Sequence, residues 1–562
     1  MKFGVITTNR QSVTKTYLAI TIGPIYETFR NVRHTREVWG ASYLFSLIAR
    51  RIIETLCHGN TTANAHHFIQ PNISDPTLFD TKTGVGLFPD RIIVDKAILS
   101  DRDFEAIKED IITELAALIG DSKGFLKDYL RIDWDLYDVQ ENENPIKTVS
   151  AFLDAAELQP RFASQYEQNP LKSFFKEINE KEGFLSEHID KENVQDVNGN
   201  LRFESLAEIA TRELWKKDEK AKAAYRTLVN KYLWKNKKDH DKNTDKKDSD
   251  SDFIEVLQEG FKDDFKTYHK YICVVKADGD GIGGLLTGFI GDDKVTQIQK
   301  ISKGLLDWGL KVKDTIRDYG GVPIYVGGDD LLFFAPVCNK HSQVEQATNI
   351  VQLLANIKAD FETAIPASGD TKPSLSFGLS ISYYKSPLSE AIAKAESLLY
   401  QVKDKTNKAQ GSKGGKLAVS LIKHSGSVFD VELKLEKDNP LKMAYERIYA
   451  CMKEIDDKPF LNGVNYKIRE NQGLIERVAL DENRLENVFV NIFEENLVEP
   501  KSKDKYLADL RALVGLSFKN GYYQQKTDTQ NHIKQGTALA TTEVFSVVRL
   551  AKFLHGLDDL KD

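Results

Sequence analysis

Tyr271-Ile-Cys-Val-Val-Lys-Ala-Asp-Gly-Asp280 and Val322-Pro-Ile-Tyr-Val-Gly-Gly-Asp-Asp-Leu-Leu-Phe-Phe-Ala335 are the two stretches whose reading decides the fold. Each sets a pair of carboxylates beside a short β-branched or aromatic run, which reads as a strand. Two unit charges about 4 Å apart near a protein surface repel by roughly 4 kcal/mol. Such pairs are therefore costly unless a cation sits between them, and hard oxygen ligands of this kind suit Mg²⁺ or Mn²⁺.

The intervening sequence supplies the rest of a unit. Val295–Tyr319 has Ile298, Ile301, Leu305, Leu306, Leu310 and Ile316 near helical spacing, and Gln343–Ile365 repeats the pattern with Ile350, Val351, Leu353, Leu354, Ile357 and Phe361. Gly327-Gly328-Asp329-Asp330 favours a tight hairpin, and Leu375–Tyr383 is a further strand. The order β-α-β-β-α-β predicts a ferredoxin-like sheet with the first strand antiparallel to the third in its middle. That topology sets Asp278 and Asp280 against Asp329 and Asp330. A lone Gly-Gly-Asp-Asp or Asp-Gly-Asp is commonly just a turn. The pair on matching strand ends points to metal-dependent phosphoryl or nucleotidyl transfer, with glycines letting phosphates approach the backbone.

The hairpin, with KADGDGIGGLL at 276–286, resembles the palm domain of nucleotide cyclases and polymerases. It is similar, more narrowly, to the large polymerase/cyclase-like subunit of type III CRISPR effector complexes, in the Cmr branch. IGPIYETF at 22–29 with RHTREVWGASYL at 33–44, LSFGLSISYYKSPLSEAIAKAESLLYQVKDK at 375–405 and GGKLAVSLIKHSG at 414–426 carry that likeness. The resemblance implies an ATP-using nucleotidyltransferase with Asp278, Asp329 and Asp330 as catalytic metal ligands and Asp280 as a further one. It implies Mg²⁺ or Mn²⁺ as cofactor and phosphate contacts from Gly279, Gly327, Gly328 and Lys416. Lys403, Lys405, Lys408, Lys413 and Lys416 read either as a solvated helix end and loop or as a triphosphate site, and following a palm the second reading is preferred, with Lys403, Lys413 and Lys416 as nucleotide contacts.

The N-terminal half reads similarly: strand Thr16–Ile22, helix Val38–Leu56 after the basic cluster Arg30, Arg33, Arg36, strand Leu87–Asp95 and helix Asp103–Leu118. This resembles a second palm without the acidic pair. Arg33, Arg36, Trp39 and Ser42 read as structural by pattern alone. The resemblance implies instead that they approach a second ATP, with Ser42 and the Gly40-Ala41 backbone at a helix start suited to phosphate.

At 562 residues and 41% hydrophobic content the chain has ample core for about four domains. The expected class is α+β: two ferredoxin-like palms, an intervening helical domain and a C-terminal helical bundle. The expected units are 1–124 palm-like, 125–265 helical, 266–435 the acidic palm and 436–562 the bundle. Residues 235–252, KNKKDHDKNTDKKDSDSD, read as a disordered charged loop. Cys57, Cys273, Cys338 and Cys451 lack CxxC spacing, so neither zinc nor a disulfide framework is expected and the chain reads as cytoplasmic. No apolar run spans a membrane. Many relatives begin with an HD-type nuclease. The palm-like strand here begins near Thr16, and the one His-Asp dipeptide, His240-Asp241, lies in the charged tract, so DNA cleavage is not expected. The adjacent His66-His67 reads as incidental.

A net charge of −7 argues against broad autonomous nucleic-acid binding, leaving RNA mainly to companion subunits. The implied partners are other type III effector subunits, guide RNA and, through the complex, target RNA. The implied function is a target-RNA-activated synthesis of cyclic oligoadenylate from ATP for antiviral defence. AMP transfer to a metabolite such as S-adenosylmethionine, a catalytically silent scaffold and a free-standing diguanylate-cyclase-like enzyme remain as alternatives. The last helix, with Phe545, Val548, Leu550, Phe553 and Leu554 over a wide arc, is expected to meet another protein or to be buried within this chain.

Overall fold

The computed structural model describes residues 14–557 except 30–31, 81, 123, 159–168, 179–182, 190–196, 199–201, 241–248, 369–371, 409–413, 456, 494–500 and 526–531. Its first sheet has β1 (Thr14–Gly23), β2 (Phe68–Gln70), β3 (Arg91–Asp95) and β4 (Arg131–Gln140) in the order β2-β3-β1-β4. β1 is central, so Tyr17 to Ile22 are all buried. Helices Thr35–Leu56 and Phe104–Ile119 complete a βαββαβ unit. The first begins at Thr35 because Glu37 reaches back to accept the Arg33 amide at 2.7 Å, a carboxylate capping the helix start. The second is capped by Asp103 and ended by Gly120 with φ of 74°.

β4 corrects the expected boundary at 124, since it lies in the segment read as helical. It pairs with β1 over ten positions, from Thr14 with Gln140 to Gly23 with Arg131. Its sequence, RIDWDLYDVQ, sets acidic residues among apolar ones because β4 is an edge strand, largely half-buried or exposed, beside the buried β1.

The second sheet runs β10-β9-β8-β5-β7-β6, from β5 (Tyr271–Asp280), β6 (Val322–Gly327), β7 (Asp330–Pro336), β8 (Ser374–Tyr383), β9 (Lys416–Ile422) and β10 (Val428–Lys434). β5 to β8 form the second βαββαβ unit with helices Lys294–Tyr319 and Ile350–Ala364. Helix Leu388–Lys408 then crosses over so that β9 joins β8 in parallel. β10 was not anticipated from the sequence.

β5 is buried on both faces. Cys273, Val275 and Ala277 share a core with Ile298, Leu305, Leu353 and Leu354. Ile272 and Val274 point the other way and share a core with Ala391, Ala395 and, from the first palm, Ile20 and Leu44. One apolar core therefore runs through both palms. Their edges also bond: the Val326 amide donates to Gly86 O at 2.8 Å and the Ser42 hydroxyl to Ile324 O at 3.0 Å.

Between the palms the tract expected to be a loop from 235 to 252 is helical at both ends. Helix Glu219–His240 enters it and helix Ser249–Phe261 leaves it, while 241–248 lie outside the described residues. The C-terminal helices are Pro440–Met452, Lys458–Glu470, Gln472–Val478, Glu482–Phe493, Lys501–Gln525 and His532–Leu554. The last lies against β10 and four of these helices, Lys501–Gln525 foremost. Val544, Val547, Val548, Leu550, Phe553 and Leu554 are buried by this chain itself, and Phe553 meets Tyr271 edge to face at 5.1 Å. The wide apolar arc of that helix is thus explained without a partner protein: it faces sheet and bundle together. All four cysteines are buried and unpaired. Among the described residues no helix is long and apolar enough to cross a membrane.

Candidate active site

The C-terminal end of β5 and the β6–β7 hairpin meet because β5 and β7 are adjacent and antiparallel. Ala277 pairs with Leu331, which sets Asp278 beside Asp330 at the next step. Gly327 pairs with Asp330 to close a two-residue turn, with Gly328 at φ of +65°, a conformation that costs glycine nothing. Gly279 holds the hairpin close. A Cβ there would fall 2.7 Å from Asp329 Oδ2 and 2.8 Å from Asp329 Cβ, so the Asp329 carboxylate lies directly over the Gly279 backbone. A Cβ on Gly327 would likewise overlap the Tyr325 ring.

The electrostatics of this end are strained. Burial and the neighbouring Asp278 push the Asp329 carboxyl up to about 7. Burial, Asp278 and Asp329 push Asp330 well above the usual carboxylate range. Asp278 is raised by burial against the pull of the Lys403 ammonium. Both hairpin aspartates keep partial exposure, so they face an opening rather than a sealed core.

Helix Leu388–Lys408 supplies a compensating cation, Lys403. Lys403 forms an ion pair with Asp278 and donates to Gly279 O at 2.9 Å, and Glu396, two turns earlier, holds Lys276 at 2.9 Å. Asp280 is differently engaged. Its Oδ2 accepts from the Ser376 hydroxyl at 2.7 Å and the Gly415 amide at 2.9 Å, tying β5 to β8 and to the entry of β9. That Oδ2 has a structural role, and Oδ1 is the oxygen of Asp280 that would serve as the further metal ligand.

Lys416 is buried at the first position of β9. Lys413 lies outside the described residues, as does Arg30. Ser42 corrects the expectation of a phosphate contact at a helix start. The helix starts at Thr35, Ser42 is 2% exposed, and its hydroxyl is given to Ile324 O at the contact between palms. Trp39 is buried too, its indole N–H donating to Gly84 O at 2.9 Å. Glu396 and Ser376 were missed from sequence. The signal for Glu396 was present, since Glu396 and Lys403 lie seven residues apart and so share one helix face.

Among the described residues no group of three or more His, Cys, Asp or Glu is set closely enough to hold an ion as it stands. The donors nevertheless suit a hard cation: Asp278, Asp329 and Asp330 repel one another, and a Lys403 ammonium already lies on Asp278 and Gly279 O as a stand-in charge.

Two βαββαβ units joined edge to edge, one with carboxylates clustered at its central strand, define a paired-palm protein. The comparisons with known proteins agree. The profile described as Cas10/Cmr2, second palm domain, matches residues 271–411, and CRISPR-associated protein Cmr2, N-terminal, matches 17–122. The chain is thus similar to Cas10/Cmr2 proteins in both of its palms. The CRISPR system Cmr subunit Cmr2 of Pyrococcus furiosus is 28% identical over 186 residues, taking in 28% of this chain and 19% of that protein. The match thus spans about a fifth of that curated relative. Among solved structures, a chain of the type III-B Cmr-beta complex in its apo state aligns with TM-score 0.54 and 12% identity, over 89% of this chain and 77% of that one. A chain of Cmr-beta bound to cognate target RNA aligns with TM-score 0.53 and 12% identity, over 88% and 79%. At these identities the likeness is one of fold.

Proposed function

We propose that this chain is the nucleotidyltransferase subunit of a type III effector complex, activated by target RNA and joining ATP molecules 3′ to 5′ with release of pyrophosphate to give cyclic oligoadenylate. The observation that carries the reading is the convergence of Asp278, Asp329 and Asp330 where Gly279 and the β6–β7 turn meet, under one lysine. A scaffold has no use for carboxylates held together at such electrostatic cost.

Asp278, Asp329 and Asp330 would hold Mg²⁺ or Mn²⁺. When bound, the metal supplies activation of the attacking hydroxyl and neutralisation of the leaving pyrophosphate. Gly279, Gly327 and Gly328 carry no side chain between the backbone amides and a phosphate. Lys403, released from Asp278, has three donors for the triphosphate. Asp280 keeps the Gly414-Gly415 entry to β9 against the site through its bond to the Gly415 amide.

The companion subunits, guide RNA and target RNA belong to the same proposal. They rest on the profile matches in the two palms and on the fold shared with Cmr-beta chains, one of them solved with target RNA. Mass spectrometry of products formed from ATP by the reconstituted complex, with and without target RNA, tests the reading. Cyclic 3′–5′ oligoadenylates appearing only with target RNA are expected. An AMP conjugate, or no product with all subunits present, would replace it.

A further inference from the structure

The helix Leu388–Lys408 carries one side chain whose position its packing does not explain. Tyr400 is 61% exposed, among the few large apolar residues of the chain so open to solvent. Its neighbours on the same helix face are committed to the strand beneath. Glu396, four residues before it, holds Lys276, and Lys403, three residues after it, bonds Asp278 and Gly279 O. Residues three and four apart on a helix stand one above the other, so Tyr400 overhangs the end of β5 between these two anchors. Glu396, Asp330, Asp278 and Lys403 all act electrostatically on its phenol, which places the ring within reach of the carboxylate cluster. Among the described residues no aromatic ring stacks on it.

An aromatic ring held over a phosphate and metal site, clamped on both sides along its helix and left uncovered, has the geometry of a base platform. We propose that Tyr400 stacks against the purine base of the nucleotide whose triphosphate lies at Asp278, Asp329 and Asp330. The inference rests on the nucleotidyltransferase reading above and adds to it the residue that receives the base. Every nucleobase presents a π-face, so the platform supplies affinity and orientation, while choice among bases falls to hydrogen bonds elsewhere. Tyr400 is a positioning residue for the reaction.

The test is binding without turnover by the full chain, read by calorimetry in Ca²⁺ with two probes, ATP and inorganic tripolyphosphate. Stacking on one aromatic side chain is worth about 1–3 kcal/mol, or roughly 5- to 150-fold in affinity. Tyr400→Ala should weaken ATP binding within that range and leave tripolyphosphate unchanged, while Tyr400→Phe and Tyr400→Trp bind ATP as the parent does. ATP affinity unchanged in Tyr400→Ala overturns the proposal, and so does an equal loss for tripolyphosphate, which would place Tyr400 on the phosphates. If the parent itself binds neither probe, the nucleotidyltransferase reading fails and the platform falls with it. Because the side chain is exposed, all three variants should keep the parental circular dichroism.

Discussion

Replacing Asp329 with Asn should stabilise the metal-free protein and abolish its response to metal. The Asp329 carboxyl rises from the ordinary 3.8 to about 7 because of burial and the adjacent Asp278. A carboxyl whose folded value is raised binds its proton more tightly in the folded state. Its penalty is therefore absent below about pH 4, grows as pH rises, and is complete above pH 7. Three units correspond to a ceiling of about 4 kcal/mol, and the partial exposure of Asp329 brings the realistic figure nearer 1–3 kcal/mol. Asp329→Asn removes that penalty with little change of shape. Thermal melts at pH 4 and pH 8 should show the variant close to the parent at pH 4 and a few degrees above it at pH 8. Mn²⁺ reverses the order, since a ligand at a hundred times its Kd stabilises the parent by about 2.7 kcal/mol and the variant far less. A variant less stable than the parent at pH 8, with Mn²⁺ stabilising both equally, would refute the reasoning and assign Asp329 to the architecture.

Three further substitutions test the frame around the site. Gly279→Ala places a Cβ 2.7 Å from Asp329 Oδ2 and from Ile282 Cγ1 and must push the hairpin away; displacements approaching 1 Å in an active site cost up to about a hundredfold, so product formation should fall roughly 10- to 100-fold with the fold retained by circular dichroism. Gly378→Ala meets the backbone of the crossover helix at Ala395 O and Leu399 N, which cannot yield as a side chain would, and should cost at least about 1–3 kcal/mol in urea unfolding. Glu213→Ala strips the buried His269 Nε2–H of its acceptor at 3.0 Å and should cost about 1–3 kcal/mol. Burial pushes the Glu213 carboxyl up, but His269, Lys340 and Tyr268 together outweigh it and hold the group below its usual value. Its contribution is thus present above about pH 4.5 and lost as pH falls further, and the variant's acid-unfolding profile should lack that part.

Strands β5 to β8 were legible because both faces of a central strand are apolar and the Gly-Gly-Asp-Asp turn has few alternatives to a hairpin. The meeting of Asp278 with Asp329 and Asp330 followed from the topology alone. β4 was hidden by its own exposure: Asp133, Asp135 and Asp138 are spread through an edge strand whose alternation runs from Ile132 only to Leu136, and such a stretch resembles a polar connection. Ser42 misled because the helix start was set at Val38, whereas the backward reach of Glu37 starts the helix at Thr35 and puts Ser42 two turns inside. The bonds of Asp280 to Ser376 and Gly415 were not legible, because sequence does not show which polar groups the fold brings against a carboxylate. The last helix left two readings open because its wide apolar arc is covered by β10 and the bundle, partners that only the fold supplies.

The central claim is that the hairpin carboxylates perform the chemistry and do not merely shape the protein. Its most direct test is the Asp329→Ala, Asp330→Ala double variant, assembled with companion subunits, guide and target RNA, and assayed for pyrophosphate and oligoadenylate released from ATP. Loss of both products, with assembly and target-RNA binding at parental levels, is the predicted result. Turnover of ATP by that variant at the parental rate would contradict it.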